Sequence, residues 1–151
     1  MPDAYVQLTR MIERLHRRFL DVLRFELERL HIDDISPPQA LMLTKIEGRD
    51  ISVRDIVERG YYLGSNASYN IRQMVQAGYV AQERSSHDRR SMRIHLTEKG
   101  KELCGKIALL EGSHAETMCG DPSAISQIEA TNETLRRLER TWSDYLSYQA
   151  L

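Results

Sequence analysis

The chain has little of what most catalytic or membrane proteins rely on. Among its 151 residues are two cysteines, one tryptophan, two phenylalanines and no net charge to speak of, the formal balance being -1. No apolar run approaches the roughly 18 residues a membrane span requires, and no charged lead followed by an apolar core opens the chain, so a cytoplasmic protein is expected. Cys104 and Cys119, if carried on one continuous helix, stand about 22 Å apart at 1.5 Å per residue, too far to bridge within a chain. No CxxC and no paired histidine spacing is present, so His16, His31, His95 and His114 read as scattered surface or interface residues and not as metal ligands. A Gly-rich phosphate loop and a nucleophile elbow are both missing. His87-Asp88, with Ser85, Ser86 and Ser91 beside it, lies where a hairpin tip is expected, and adjacent residues on such a tip are poorly placed for a buried, oriented triad. The sequence therefore predicts no enzyme, no metal and no cofactor.

What is present is concentrated between Ser52 and Gly100. Ser52 with Asp55 three residues on is a helix-start signature, and Val53, Ile56 and Val57 put apolar groups on one face of the helix that follows. Gly60 is expected to end it. After Tyr61-Tyr62-Leu63-Gly64, Ser65 is expected to cap a second helix, in which Ala67, Ile71, Met74 and Val75 fall at i, i+4, i+7 and i+8. The opposite face carries Asn66, Tyr69, Asn70 and Gln73, flanked by Ser68 and Arg72, a set of donors and acceptors suited to base edges in a major groove. Gly78 closes this helix. Tyr79, Val80, Gln82 and Arg84 then begin a strand whose partner is Met92, Ile94 and Leu96, alternating with Arg93 and His95. From Arg72 to Lys101 seven basic residues face three acidic ones, a local balance of +4 within a chain that is otherwise slightly acidic. Charge distribution, more than net charge, decides whether one face can meet phosphate.

The order helix, turn, helix, Gly78-Tyr79-Val80, Asp88-Arg89-Arg90-Ser91, then Leu96-Thr97-Glu98-Lys99-Gly100 resembles the MarR family of winged helix-turn-helix transcription regulators. That resemblance implies a mainly α fold with a small antiparallel β wing, and a DNA-binding homodimer, usually a ligand-released repressor. It implies one domain over 1–151, with a DNA-binding lobe at 36–97 and a helical dimerisation region at 1–35 and 98–151. The residues placed against a pseudo-palindromic double-stranded operator are Ser65, Asn66, Ser68, Tyr69, Asn70, Arg72 and Gln73 on the second helix. Arg84, Ser86, His87, Asp88, Arg89 and Arg90 join them from the wing, with Arg90 entering a minor groove and Asp88 orienting it. Many members carry Ser or Thr followed by Arg in mid recognition helix, where this chain has Ser68-Tyr69-Asn70, so a different operator is implied. The run from Tyr61 to Asn66 is also similar to a subgroup tied to cell-envelope and L,D-transpeptidase genes. Some relatives use cysteine as a switch, which makes redox sensing by Cys104 or Cys119 an alternative to two reduced thiols. A winged-helix dimer serving only protein interaction is the other.

The flanks extend the pattern. Residues 4 to 30 hold Leu8, Met11, Ile12, Leu15, Phe19, Val22, Leu23, Leu27 and Leu30 at three-and-four spacing, which predicts a helix longer than a small lobe can cover. A second copy of the same surface is the cheapest partner. Ser36-Pro37-Pro38-Gln39 predicts a capping-box start, with Leu41, Met42, Leu43 and Ile46 facing the core, and Ile51 is expected to add a third strand. Thr97 caps a helix carrying Leu103, Ile107, Leu110 and Met118, and Asp121-Pro122 starts a last one with Ile125, Ile128, Leu135, Leu138, Trp142, Tyr145 and Leu146. Met11, Met42, Met74 and Met118 lie on these apolar stripes and read as core. In the family that the chain resembles, ligands enter between the dimer region and the winged lobe. The matching residues are Leu15, His16, Phe19, Leu41, Met42, Thr44, Tyr61 and Tyr62, and they imply a small aromatic or phenolic effector.

Overall fold

Nine elements follow one another in the computed structural model, which describes residues 2–48, 50–58, 64–84 and 92–149. They are α1 (Pro2–Arg29), α2 (Pro37–Ile46), β1 (Ile51–Ser52), α3 (Val53–Glu58), α4 (Gly64–Gln76), β2 (Val80–Arg84), β3 (Met92–Leu96), α5 (Glu98–Met118) and α6 (Pro122–Gln149). Backbone contacts divide the chain into two compact units, 1–108 and 109–151. Among the described residues no helix is long and apolar enough to cross a membrane.

The helix ends are set by the residues the sequence points to. Ser36 Oγ accepts from the Gln39 backbone N–H at 3.3 Å while the Gln39 side-chain Oε1 accepts from the Ser36 backbone N–H at 3.1 Å, a complete capping box ahead of Pro37. Ser52 and Asp55 repeat the arrangement at α3, with bonds of 3.0 and 3.3 Å. Thr97 Oγ1 accepts from the Gly100 N–H at α5, and Asp121 Oδ1 accepts from the N–H groups of Ser123 and Ala124 at α6. One cap differs from expectation. Since α4 already begins at Gly64, Ser65 lies within its first turn and not ahead of it.

At its other end α4 closes in a Schellman turn. Gly78 takes φ +84, its N–H donates to Val75 O at 3.1 Å, and the Tyr79 N–H donates to Met74 O at 2.9 Å. The same turn closes α1, but there His31 occupies the left-handed position at φ 56. The chain leaves α4 straight into β2. β3 is the centre of a three-stranded antiparallel sheet in the order β1-β3-β2, with Val80 opposite Leu96, Arg84 opposite Met92 and Ile51 opposite Ile94. The third strand at Ile51 is thus present.

The core of the first unit collects Leu23 and Leu27 from α1, Ala40, Met42, Leu43 and Ile46 from α2, Ile56 from α3, and Ala67, Ile71 and Met74 from α4. Ile94, Leu96, Leu103 and Ile107 close it from the sheet and α5. On α2 the buried stripe is shifted from expectation, since Ala40 is fully buried and Leu41 only half so. The predicted stripe on α1 is buried only in its C-terminal half: Leu23 and Leu27 are inside, whereas Met11 and Leu15 are exposed. Within the second unit Leu138 is buried, while Ile125, Tyr145 and Leu146 face outward.

Candidate nucleic-acid interface

Helix α4 separates its residues cleanly. Ala67, Ile71 and Met74 are each at most 1% exposed and hold the helix on the core, and Val75 is half-buried beside them. Asn66, Ser68, Tyr69, Arg72 and Gln73 face solvent, and Asn70 is half-buried at the edge of that face. A buried stripe of this kind sets which residues are free to meet a ligand, because the helix cannot rotate without exposing it.

The polar face is not independent of the lobe behind it. Gln39, only 6% exposed, donates from Nε2 to Asn70 Oδ1 at 3.1 Å and to Gln73 Oε1 at 2.7 Å. Gln73 Nε2 donates in turn to the Tyr69 hydroxyl at 2.7 Å. Asn70 thus meets the exterior with its carbonyl already engaged, a limit that composition alone does not reveal. Gln39 is the residue that sequence reasoning placed only as a helix cap. The signal available was its type: a glutamine at the third helical position uses its oxygen for the cap and keeps two N–H donors for something else.

Beside this face runs an open groove of about 730 Å³ bounded by Asp33, Asp34, Ser36, Gln39, Tyr69 and Gln73, among others. One of its lining residues, Asp34, ties three elements together. The Tyr79 hydroxyl donates to Asp34 Oδ1 at 2.5 Å, and Lys99 Nζ reaches Asp34 Oδ2 at 2.6 Å and Ala77 O at 2.8 Å while sitting 4.3 Å from the Tyr79 ring centre. Burial alone would raise the Asp34 pKa, but the bonds from Lys99 and Tyr79 outweigh it and hold the carboxyl below its ordinary 3.8. Burial, followed by the bond to Asp34, drives the Tyr79 phenol well above its ordinary range.

Of the wing, Arg84 is exposed at the end of β2. Ser86, His87, Asp88, Arg89 and Arg90 lie outside the described residues, as do Tyr61 and Tyr62 of the expected effector crevice. Arg93 is spoken for, its guanidinium donating to Asp50 O at 2.8 Å. The remaining crevice residues are spread between surface and core. Leu15 and His16 are exposed on α1, Phe19 and Leu41 are half-buried against the core, and Met42 is 1% exposed within it. The Thr44 hydroxyl donates to Leu41 O at 2.7 Å. Cys104 is buried, and burial together with the Glu47 carboxylate pushes its thiol up to about 11, which suppresses the thiolate that redox chemistry needs.

Comparison with known proteins agrees with this geometry. Residues 33–91 match the model of the MarR family. The chain is 36% identical over 145 residues to the exopolysaccharide II synthesis transcriptional activator ExpG of Rhizobium meliloti, covering 96% of this chain and 75% of that protein. Among solved structures, a MarR transcriptional regulator from Methanosarcina mazei Go1 superposes with a TM-score of 0.74 at 23% identity, over 89% of this chain and 97% of that one. Streptococcus pneumoniae FabT, solved in complex with DNA, gives 0.68 at 22% identity, over 91% and 98%.

Proposed function

Because the chain belongs to the MarR family, and is therefore a DNA-binding transcription regulator and not an enzyme, we propose that it acts as a homodimer. Each subunit presents α4 and the 85–91 wing to one half of a pseudo-palindromic operator. The observation that carries this reading is the division of α4 into a core-locked stripe and an exposed polar face. FabT, of similar fold and solved with DNA, supports it. In this reading residues 36–97 form the DNA-binding lobe, 1–35 and 98–151 the dimerisation region, and the protein works in the cytoplasm.

Repression by promoter occlusion is the default outcome of a dimer seated on its operator. A second reading is favoured by one specific observation: the relative that matches 96% of this chain is named an activator. A site overlapping the promoter gives repression and one just upstream gives activation, so transcription in vitro from the selected promoter decides the sign. The name of that relative, together with the resemblance of the Tyr61–Asn66 run, makes cell-surface genes the first targets to examine. An effector would act by favouring a lobe spacing that no longer fits both half-sites, since a ligand shifts an equilibrium only by its differential affinity for the two states. Phenolic and salicylate-like compounds are the probes. An effector should release DNA and raise the melting temperature together.

The direct test is affinity for DNA fragments selected from the organism's own genome, measured over a salt series. Log affinity should fall linearly with log salt, and Arg84→Ala should flatten that slope by about one unit if Arg84 neutralises one phosphate. Absence of salt-sensitive binding would instead favour a dimer that serves only protein interaction.

A further inference from the structure

Within the α2–α4 contact the orientation of every amide follows from one fixed point. The Ser36 N–H can only donate, so the Gln39 oxygen must face it, as it does at 3.1 Å. The Gln39 NH2 therefore occupies the opposite edge of its amide plane, where its two protons go to Asn70 Oδ1 and Gln73 Oε1. Turning either partner over would set NH2 against NH2 beside a side chain only 6% exposed, leaving buried donors unpaired. Asn70 and Gln73 thus direct their oxygens inward and their NH2 groups outward. Gln73 also spends one N–H on the Tyr69 hydroxyl oxygen, which frees the phenolic proton to donate.

We infer that Gln39 is a specificity-determining residue that fixes Asn70 and Gln73, on the outer face of α4, as hydrogen-bond donors matched to the guanine edge. Guanine offers O6 and N7 side by side as acceptors in the major groove, whereas adenine pairs N7 with an N6 donor and calls for an amide that shows oxygen and NH2 together. The inference rests on the proposal that α4 reads bases in the major groove. Gln39 itself touches no base and acts through Asn70 and Gln73.

Gln39→Glu converts the anchor without disturbing the cap, since glutamate at this helical position also accepts from the Ser36 N–H. Its second oxygen accepts where Nε2 donated, so Asn70 and Gln73 must turn their NH2 groups inward and show oxygen. Gln39→Met removes the anchor and leaves both amides free to turn. The experiment selects DNA from a random library with the full-length parent, Asn70→Ala, Gln73→Ala and both Gln39 variants, each checked for folding by thermal melting. It then measures affinity with 7-deazaguanine, which lacks the N7 acceptor, at the positions that the two alanine variants relax. The parent should select guanine there and lose about tenfold in affinity with 7-deazaguanine. Gln39→Glu should abandon guanine and lose that sensitivity, and Gln39→Met should bring the guanine-to-adenine ratio towards one. Either variant suffices if the other fails to fold. Adenine selected by the parent, or the parent's guanine preference retained in the folded Gln39 variants, overturns the inference while DNA binding by α4 stands. Should Asn70→Ala and Gln73→Ala leave every position's preference unchanged, the α4 reading fails and this inference falls with it.

Discussion

Gly100 sits where a side chain has no room. A Cβ there would lie 2.3 Å from the Tyr79 carbonyl oxygen and 3.4 Å from Leu96, because the first turn of α5 packs directly on the backbone that leaves α4. The same carbonyl accepts from the Thr97 N–H at 3.0 Å, and the Thr97 hydroxyl donates to Gly78 O at 2.6 Å. Gly78, Tyr79, Thr97 and Gly100 therefore form one junction, whose glycines serve opposite needs: Gly78 supplies a left-handed turn and Gly100 supplies absence of bulk. Gly100→Ala should destabilise the protein by about 1–3 kcal/mol through forced backbone displacement. Gly105→Ala, one turn further along α5 with nothing within 4 Å of the new methyl, should stabilise it by about 0.4–1 kcal/mol. Denaturant titration of the two variants separates these effects. Equal and small changes in both would mean that the α5–Tyr79 approach is looser than 2.3 Å implies.

At the scale of elements, capping signals and periodicity made most of this fold legible. Ser36, Ser52, Thr97 and Asp121 each bond to the helix they were expected to start, because a cap is a local pattern of three or four residues. At α4 the start itself differs from expectation, because Gly64, an unfavoured helix residue, already belongs to the helix ahead of Ser65. The polar face of α4 was legible as exposed, since the spacing of Ala67, Ile71 and Met74 fixes it. Its internal wiring was not. The bond from Gln39 to Gln73 spans 34 positions and depends on how α2 lies against α4, which no window of sequence contains. Asp34 is the same kind of case, joining the α1–α2 turn to Tyr79 and Lys99. That junction should leave a signature in acid. Because the folded-state pKa of Asp34 lies below its ordinary 3.8, its contribution is present above that value and is lost as pH falls through the folded pKa. The stability gap between the parent and Asp34→Asn should therefore be widest above about pH 5 and narrow as the solution is acidified below 3.8. Shifts of other carboxylates, such as Asp121, are common to both proteins and cancel in the difference. A gap that stays constant down to strong acid would mean that Asp34 is no better stabilised as a carboxylate in the folded chain than in the unfolded one.

For the whole molecule, the unexplained quantity is apolar surface. Met11 and Leu15 on α1, and Tyr145 and Leu146 on α6, continue stripes that are buried elsewhere on the same helices, yet each is more than 40% exposed. Burial of a leucine contributes roughly 1.5–3 kcal/mol, so two helices that leave such stripes in water forgo a large share of what their sequences offer. In the proposed homodimer a second copy of the chain would cover such stripes, and a twofold arrangement would present two α4 faces to DNA whose half-sites are about 10 bp apart. Leu15 and Leu146 are 56% and 67% exposed, so Leu15→Glu and Leu146→Glu should barely alter the fold of a single chain as read by circular dichroism. In a dimer each change occurs twice and sets a charge against an apolar surface, which costs far more than either does in water. Sedimentation at micromolar concentration should give about twice the chain mass for the parent and a shift towards one chain mass for the variants. Operator affinity should fall with the dimer, because a single lobe loses the effective concentration that its tethered partner supplies. Binding to an isolated half-site should change little. If both variants sediment as the parent does, these stripes are not the interface, and if the parent is itself a stable monomer, the pseudo-palindromic operator goes with it.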